Sequence, residues 1–199
     1  MTTWLHEQRL AEAREVVRQC GARTVLDLGC GDGDLLVRLA VEPQIERMVG
    51  VDVCEESLER LRARLEALDG TETADVELVH GSMIEGGAAV AGFDCAILIE
   101  TIEHIDPDRL SVLERTVFAG MRPATVVITT PNAEFNPLLG VPPHRFRHPD
   151  HRFEWDRARF QRWARGAAGR NGYQLVCRDI AGYHPAFGGA SQMAVFTAT

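Results

Sequence analysis

With 199 residues and 45% apolar side chains, the chain is long enough to bury a full core as one soluble domain spanning residues 1–199. No apolar run reaches the length of a membrane span, the opening Met1-Thr2-Thr3-Trp4-Leu5-His6-Glu7 carries no signal-peptide pattern, and a cytoplasmic protein is expected. A net charge of −8 argues against indiscriminate polyanion binding, and the absence of any lysine excludes a Schiff base and leaves phosphate contacts to arginine, histidine or backbone amides.

From Trp4 to Cys20 the apolar residues Leu5, Leu10, Ala13, Val16 and Val17 recur at helical spacing and stop before Gly21, which predicts a covering helix. Thr24 to Leu28 reads as a short buried strand. It runs into Gly29-Cys30-Gly31-Asp32-Gly33 and then a helix to about Val41. Glycines here let the backbone come close to a ligand. A dinucleotide fingerprint would need its third glycine at position 34, where Asp34 stands, so the turn suits a ligand without a pyrophosphate.

A second strand, about Arg47 to Val51, ends in Asp52, an acid placed to accept both hydroxyls of a ribose. Glu55 to Leu68 follows as a helix with Leu58, Leu61, Leu65 and Leu68 on one stripe. A third strand, Asp75 to Val79, leads to His80-Gly81-Ser82-Met83, where adenine can lie against an apolar side chain. The five cysteines, Cys20, Cys30, Cys54, Cys95 and Cys177, are scattered without a C-x-x-C pair and read as small core residues rather than a disulfide or zinc framework.

The apolar run Phe93 to Ile99 predicts a buried strand whose exit carries Glu100, Glu103 and His104. Open α/β sheets place their chemistry at such exits. The three side chains can converge on a magnesium or manganese ion if the chain turns tightly there. Equally, acids and a histidine in this place can satisfy the free amides of a helix start. Asp106-Pro107-Asp108 reads as an N-cap followed by proline at the first helical position, with Leu110, Leu113 and Val117 facing inward. Ala124 to Thr130 is a β-branched strand. A long proline-rich loop from there to about Glu154 holds His144, His148 and His151, and so long a loop inside a compact domain is usually functional. Asp156 to about Ala168 is an amphipathic helix with Phe160 and Trp163 inward. Eight arginines against three acids lie between His144 and Arg170, so one face can attract phosphate. Tyr173 to Ile180 and Gln192 to Ala198 complete the chain as two paired strands. The alternation gives an α/β fold with a doubly wound, mostly parallel sheet and an antiparallel terminal hairpin.

Val25 to Gly33, Asp52 and Gly81-Ser82-Met83 resemble the S-adenosylmethionine site of class I methyltransferases, whose sheet has seven strands. That resemblance implies Asp27, Gly29 and Gly31 at the methionine part of the cofactor, Asp52 at its ribose, and Ser82 with Met83 at its adenine. Glu100 to His104 taken with His148-Pro149-Asp150-His151-Arg152-Phe153-Glu154-Trp155, Thr130 to Asn136 and Ala190 to Phe196 resembles the small-RNA 3′-terminal 2′-O-methyltransferases, which include plant and animal enzymes acting on microRNA or piRNA ends and bacterial enzymes that mark RNA during repair. The resemblance implies a divalent metal, magnesium or manganese, on Glu100, Glu103, His104 and His151, with His104 or His151 taking the proton. It implies RNA contacts from Asn132, Arg145, Arg147, His148 and Arg152, an RNA 3′ end as partner, and a polynucleotide kinase-phosphatase/ligase as a further one. A lysine-free chain cannot build the lysine-centred tetrad of other RNA 2′-O-methyltransferases, which fits a metal in that role. The competing readings are a small-molecule O- or N-methyltransferase of the same fold and a non-catalytic RNA-end binding module.

Overall fold

Apolar β-branched segments separated by helices can bury both faces only as parallel strands covered on each side. The computed structural model, which describes residues 4–68, 73–85 and 91–199, has that layering. Its strands are β1 (Thr24–Leu28), β2 (Arg47–Asp52), β3 (Asp75–His80), β4 (Cys95–Ile99), β5 (Thr125–Pro131), β6 (Tyr173–Ile180) and β7 (Ser191–Ala198), in the spatial order β3-β2-β1-β4-β5-β7-β6. The first five run parallel. β7 pairs antiparallel with β5, from Thr125 opposite Thr197 to Pro131 opposite Ser191, and with β6. Reversal of strand order between β2 and β4 around β1 opens a crevice at the carboxyl ends of β1 and β4.

Alternating strand residues divide the core. Val25, Ile97, Val127 and Met193 face α1 (Trp4–Gln19), α2 (Leu36–Ala40) and α3 (Glu55–Glu66). Leu26, Leu98, Ile128 and Phe196 face α4 (Leu110–Glu114) and α5 (Arg157–Asn171). A five-residue helix such as α2 has no stability of its own. It persists because Leu36 and Leu39 are fully buried, each such side chain contributing about 1.5–3 kcal/mol. α5 has the ends its sequence predicts, with Asp156 accepting from the Arg159 amide at 2.7 Å and Gly172 at φ 70° closing the last turn.

Three expectations change. Asp106 makes no capping bond, because its carboxylate faces Arg152 at 3.7 Å; Pro107–Arg109 form a 3₁₀ turn before α4, and Arg115–Met121 widen into a π-type turn. The proline-rich loop is not structureless: Ala133–Leu139 form a 3₁₀ segment started by the Asn132 side chain, which accepts from the Glu134 amide at 3.0 Å. Only Cys30 and Cys95 are buried thiols, whereas Cys20 and Cys54, at helix ends, are exposed and Cys177 is intermediate. No described helix is long and apolar enough to cross a membrane.

Candidate active site at the carboxyl edge of the sheet

The β1 turn is built for close approach. Gly29, at φ 80°, donates its amide to Val51 O at 2.7 Å, and a Cβ there would collide with Thr101 on the β4 exit. The Gly31 amide donates to Asp52 Oδ2 at 2.7 Å and the Cys54 amide to Oδ1 at 2.8 Å, which fixes the carboxylate and leaves each oxygen a free lone pair. Gly33 serves packing instead, lying against the Leu61 side chain. Two cavities flank Gly29. One of about 440 Å³ is walled by Gly29, Asp52, Ser82, Met83, Glu100 and His104. The other, about 290 Å³, is walled by Arg9, Asp27, Gly29, Gly31 and Glu100. Asp27 is 4% exposed and its carboxylate accepts no hydrogen bond from any described residue; burial, and secondarily the charge of Asp52, push its carboxyl up to about 7.

At the β4 exit Glu100 takes φ 51°, an uncommon left-handed conformation for a residue with a side chain. Thr129 of β5 holds it: the Glu100 amide donates to Thr129 Oγ1 at 3.0 Å, and that hydroxyl donates to Glu100 Oε1 at 3.0 Å. Glu100 Oε2 accepts from Ser191 Oγ at 3.3 Å and faces Arg9 Nη2 at 3.3 Å. Thr130 Oγ1 donates to Glu103 Oε2 at 2.9 Å, while Glu103 Oε1 is buried without a partner. Burial, and then the neighbouring Glu100 charge, push the Glu103 carboxyl well above the usual carboxylate range.

Opposite these acids the Arg152 amide donates to Glu103 O at 2.7 Å and draws the loop inward. His104, His148 and His151 thereby place one ring nitrogen each within 4.8 Å of one another, with the His104 and His151 rings 4.8 Å apart at their centroids. His151 Nδ1 lies 2.6 Å from Glu154 Oε1. Glu154 is itself held by the Asn136 amide group at 2.6 Å and the Arg147 backbone amide at 2.7 Å. Burial and the two other imidazoles hold the His104 pKa below its ordinary value. Glu100 and Glu103 stand outside the imidazole group, but Glu100 shares a cavity wall with His104. An orphaned buried carboxylate oxygen beside a second carboxylate, which shares a cavity wall with an imidazole, is the donor chemistry of a divalent cation such as magnesium or manganese. The residues present therefore fit such a group.

The family model described as a methyltransferase domain matches residues 25–123. The chain is 40% identical over 203 residues to a small RNA 2′-O-methyltransferase of Mus musculus, covering 97% of this chain and 51% of that protein. The crystal structure of the methyltransferase domain of bacterial CtHen1 superposes with a TM-score of 0.85 at 36% identity, covering 97% of this chain and 99% of that one. This chain belongs to the Hen1 small-RNA methyltransferase-domain family. Small RNA methyltransferase HEN1 is also similar, with a TM-score of 0.90 at 32% identity over 98% of this chain and 26% of that one. The chain spans about half the length of the curated vertebrate relatives it matches. The fold is that of the class I S-adenosylmethionine methyltransferases.

Within this Hen1-family domain the expected RNA contacts separate. Arg145, His148 and Arg152 are exposed. Asn132 and Arg147 are turned inward. Asn132 is 0% exposed and donates to Phe187 O at 2.7 Å and Gly189 O at 2.9 Å. Arg147 donates to Asn136 Oδ1, Ala190 O and Asn132 O. These bonds tie both side chains to the backbone around the loop and shape it. His148, exposed, also belongs to the imidazole group. Arg9 and Thr129 lie outside every quoted motif, and Thr130 and Glu154 lie inside motifs without an assigned role. Glu154 had a further signal, its spacing of three from His151.

Proposed function

We propose that the chain transfers the methyl group of S-adenosylmethionine to the 2′-hydroxyl of the 3′-terminal ribose of RNA, with a divalent cation, magnesium or manganese, on Glu100, Glu103, His104 and His151. The observation that carries this reading is the buried, unpartnered Glu103 Oε1 next to Glu100, which itself walls the cavity of Asp52, Ser82 and Met83. Asp52 would accept the cofactor's ribose hydroxyls, Ser82 and Met83 would border its adenine, and Asp27 with the Gly29–Gly31 backbone would hold its methionine end. When bound, the cation supplies Lewis acidity at a vicinal diol, which eases loss of the 2′-hydroxyl proton. His104 or His151, whichever stands off the cation, would take that proton, and burial favours the neutral, proton-accepting form of His104. His151 is oriented by Glu154. Arg145, Arg152 and His148 at the surface suit phosphate contacts independent of sequence. As further elements of the proposal, residues 1–199 act as one domain, a polynucleotide kinase-phosphatase/ligase is a repair partner, and the setting is cytoplasmic, which fits five free thiols.

The deciding experiment offers one short RNA with either a 3′-terminal diol or a 3′-deoxy end, with and without a chelator. Methyl transfer is expected only to the diol and only without chelator. Transfer to the deoxy end, or transfer indifferent to chelation, rejects the reading. A second expectation concerns Glu154, which orients His151 from behind. Carboxylates in that position typically govern metal affinity by 10–100-fold, so Glu154→Gln should weaken manganese binding by about that factor in calorimetry.

A further inference from the structure

A groove of about 430 Å³ runs between α4 and α5, bordered by Pro107, Leu110, Trp155, Arg159, Arg162 and Trp163. Its border includes Pro107, next in the chain to Asp106 of the active-cavity wall. We propose that this groove binds the single-stranded stretch of polynucleotide immediately 5′ of the terminal nucleotide, an inference that rests on the RNA reading of the site. Phosphates would face Arg159 and Arg162, and a base would lie on the partly buried Trp163.

Three observations favour that occupant. In a chain of net charge −8, Arg159 and Arg162 form no ion pair with any described residue, while Arg170 at the far end is neutralised by Glu114 at 2.8 Å. Unpaired cations between aromatic rings suit a polyanion carrying π faces. The rings are arranged for it: the Arg159 guanidinium sits 5.2 Å over the Trp155 ring, and Trp155 and Trp163 lie 5.8 Å apart. Finally, Trp155 is 4% exposed and its indole N–H is buried without an acceptor. Buried donors are rarely left so, and phosphate or base carbonyl oxygens are acceptors. An acidic protein segment would satisfy the arginines but has no use for the indole faces.

The test compares affinities of the full chain for a 5′-labelled trinucleotide and a dodecanucleotide RNA, both ending in a diol, by fluorescence anisotropy over a salt series. The unmodified chain should prefer the dodecamer by at least about tenfold. In Arg159→Gln/Arg162→Gln that preference should collapse to within about twofold, and the salt slope for the dodecamer should fall by about 1.4, the share of two single-strand phosphate contacts. A preference that survives the double substitution, or a chain with no length preference, overturns the proposal; loss of binding to an acidic polypeptide instead assigns the groove to a protein partner. A length preference in a chain that methylates neither RNA would keep the groove and reject the enzymatic reading, so the two fail separately.

Discussion

Glu103→Gln should lower kcat on diol-ended RNA by about a thousandfold while moving the melting temperature of the metal-free protein by only a few degrees. The side chain is completely enclosed, and burial with the Glu100 charge holds its carboxyl well above the usual range, which favours the uncharged acid in the metal-free protein. Glutamine has the same shape and charge as that acid and keeps an oxygen for the Thr130 hydroxyl. Folding thus loses little. Activity loses a negative donor, and a Lewis-acid contribution of several kcal/mol corresponds to about three powers of ten. Rates at saturating manganese, manganese calorimetry and melting in chelator measure the three quantities. A variant within tenfold of the parent rate would place Glu103 among purely structural residues.

Local chemistry made much of the site readable in advance. The glycine turn, Asp52 and the Glu100–His104 exit each lie within a few residues of a strand end, where periodicity and backbone geometry announce them. His151 was readable through its motif. What the sequence conceals are roles assigned by partners far along the chain. Arg147 looks like a surface cation among other cations, and only the folding back of β7 brings Ala190 O to it from 43 positions away. Asn132 is spent on carbonyls 55 and 57 positions distant. Arg9, on an ordinary amphipathic helix, reaches Glu100 because α1 lies over β4 and β6. The carboxylates are likewise held by Thr129 and Thr130, neighbours only through the β4–β5 pairing. Competing partners also displace local signals, as when Arg152 takes Asp106 away from its cap.

Asp27→Asn should stabilise the cofactor-free protein increasingly as pH rises, while weakening its hold on S-adenosylmethionine. The folded-state pKa of Asp27 is raised from 3.8 to about 7 by burial first and Asp52 second. Between those values the folded chain binds more protons than the unfolded one, so the Asp27 contribution to stability is whole below about pH 4, declines as pH climbs through the folded value, and levels off above it. Asparagine has no such term. The variant's advantage should therefore be near zero at pH 4 and greatest at pH 8, with a ceiling of about 4 kcal/mol at 1.36 kcal/mol per unit. Cofactor binding should show the reverse. An ammonium group beside Asp27 favours the carboxylate, so binding releases a proton and tightens with pH through about 7 in the parent. In the variant the affinity should be about 10–100-fold lower at pH 8 and flat with pH, since one close charge pair is worth roughly 1.5–3 kcal/mol. Thermal melts and calorimetry in buffers of different ionisation heat, from pH 5 to 8.5, read both effects. A pH-independent gain in melting temperature, or cofactor affinity that still tracks pH in the variant, would remove Asp27 from the methionine end of the cleft and assign its burial to the fold alone.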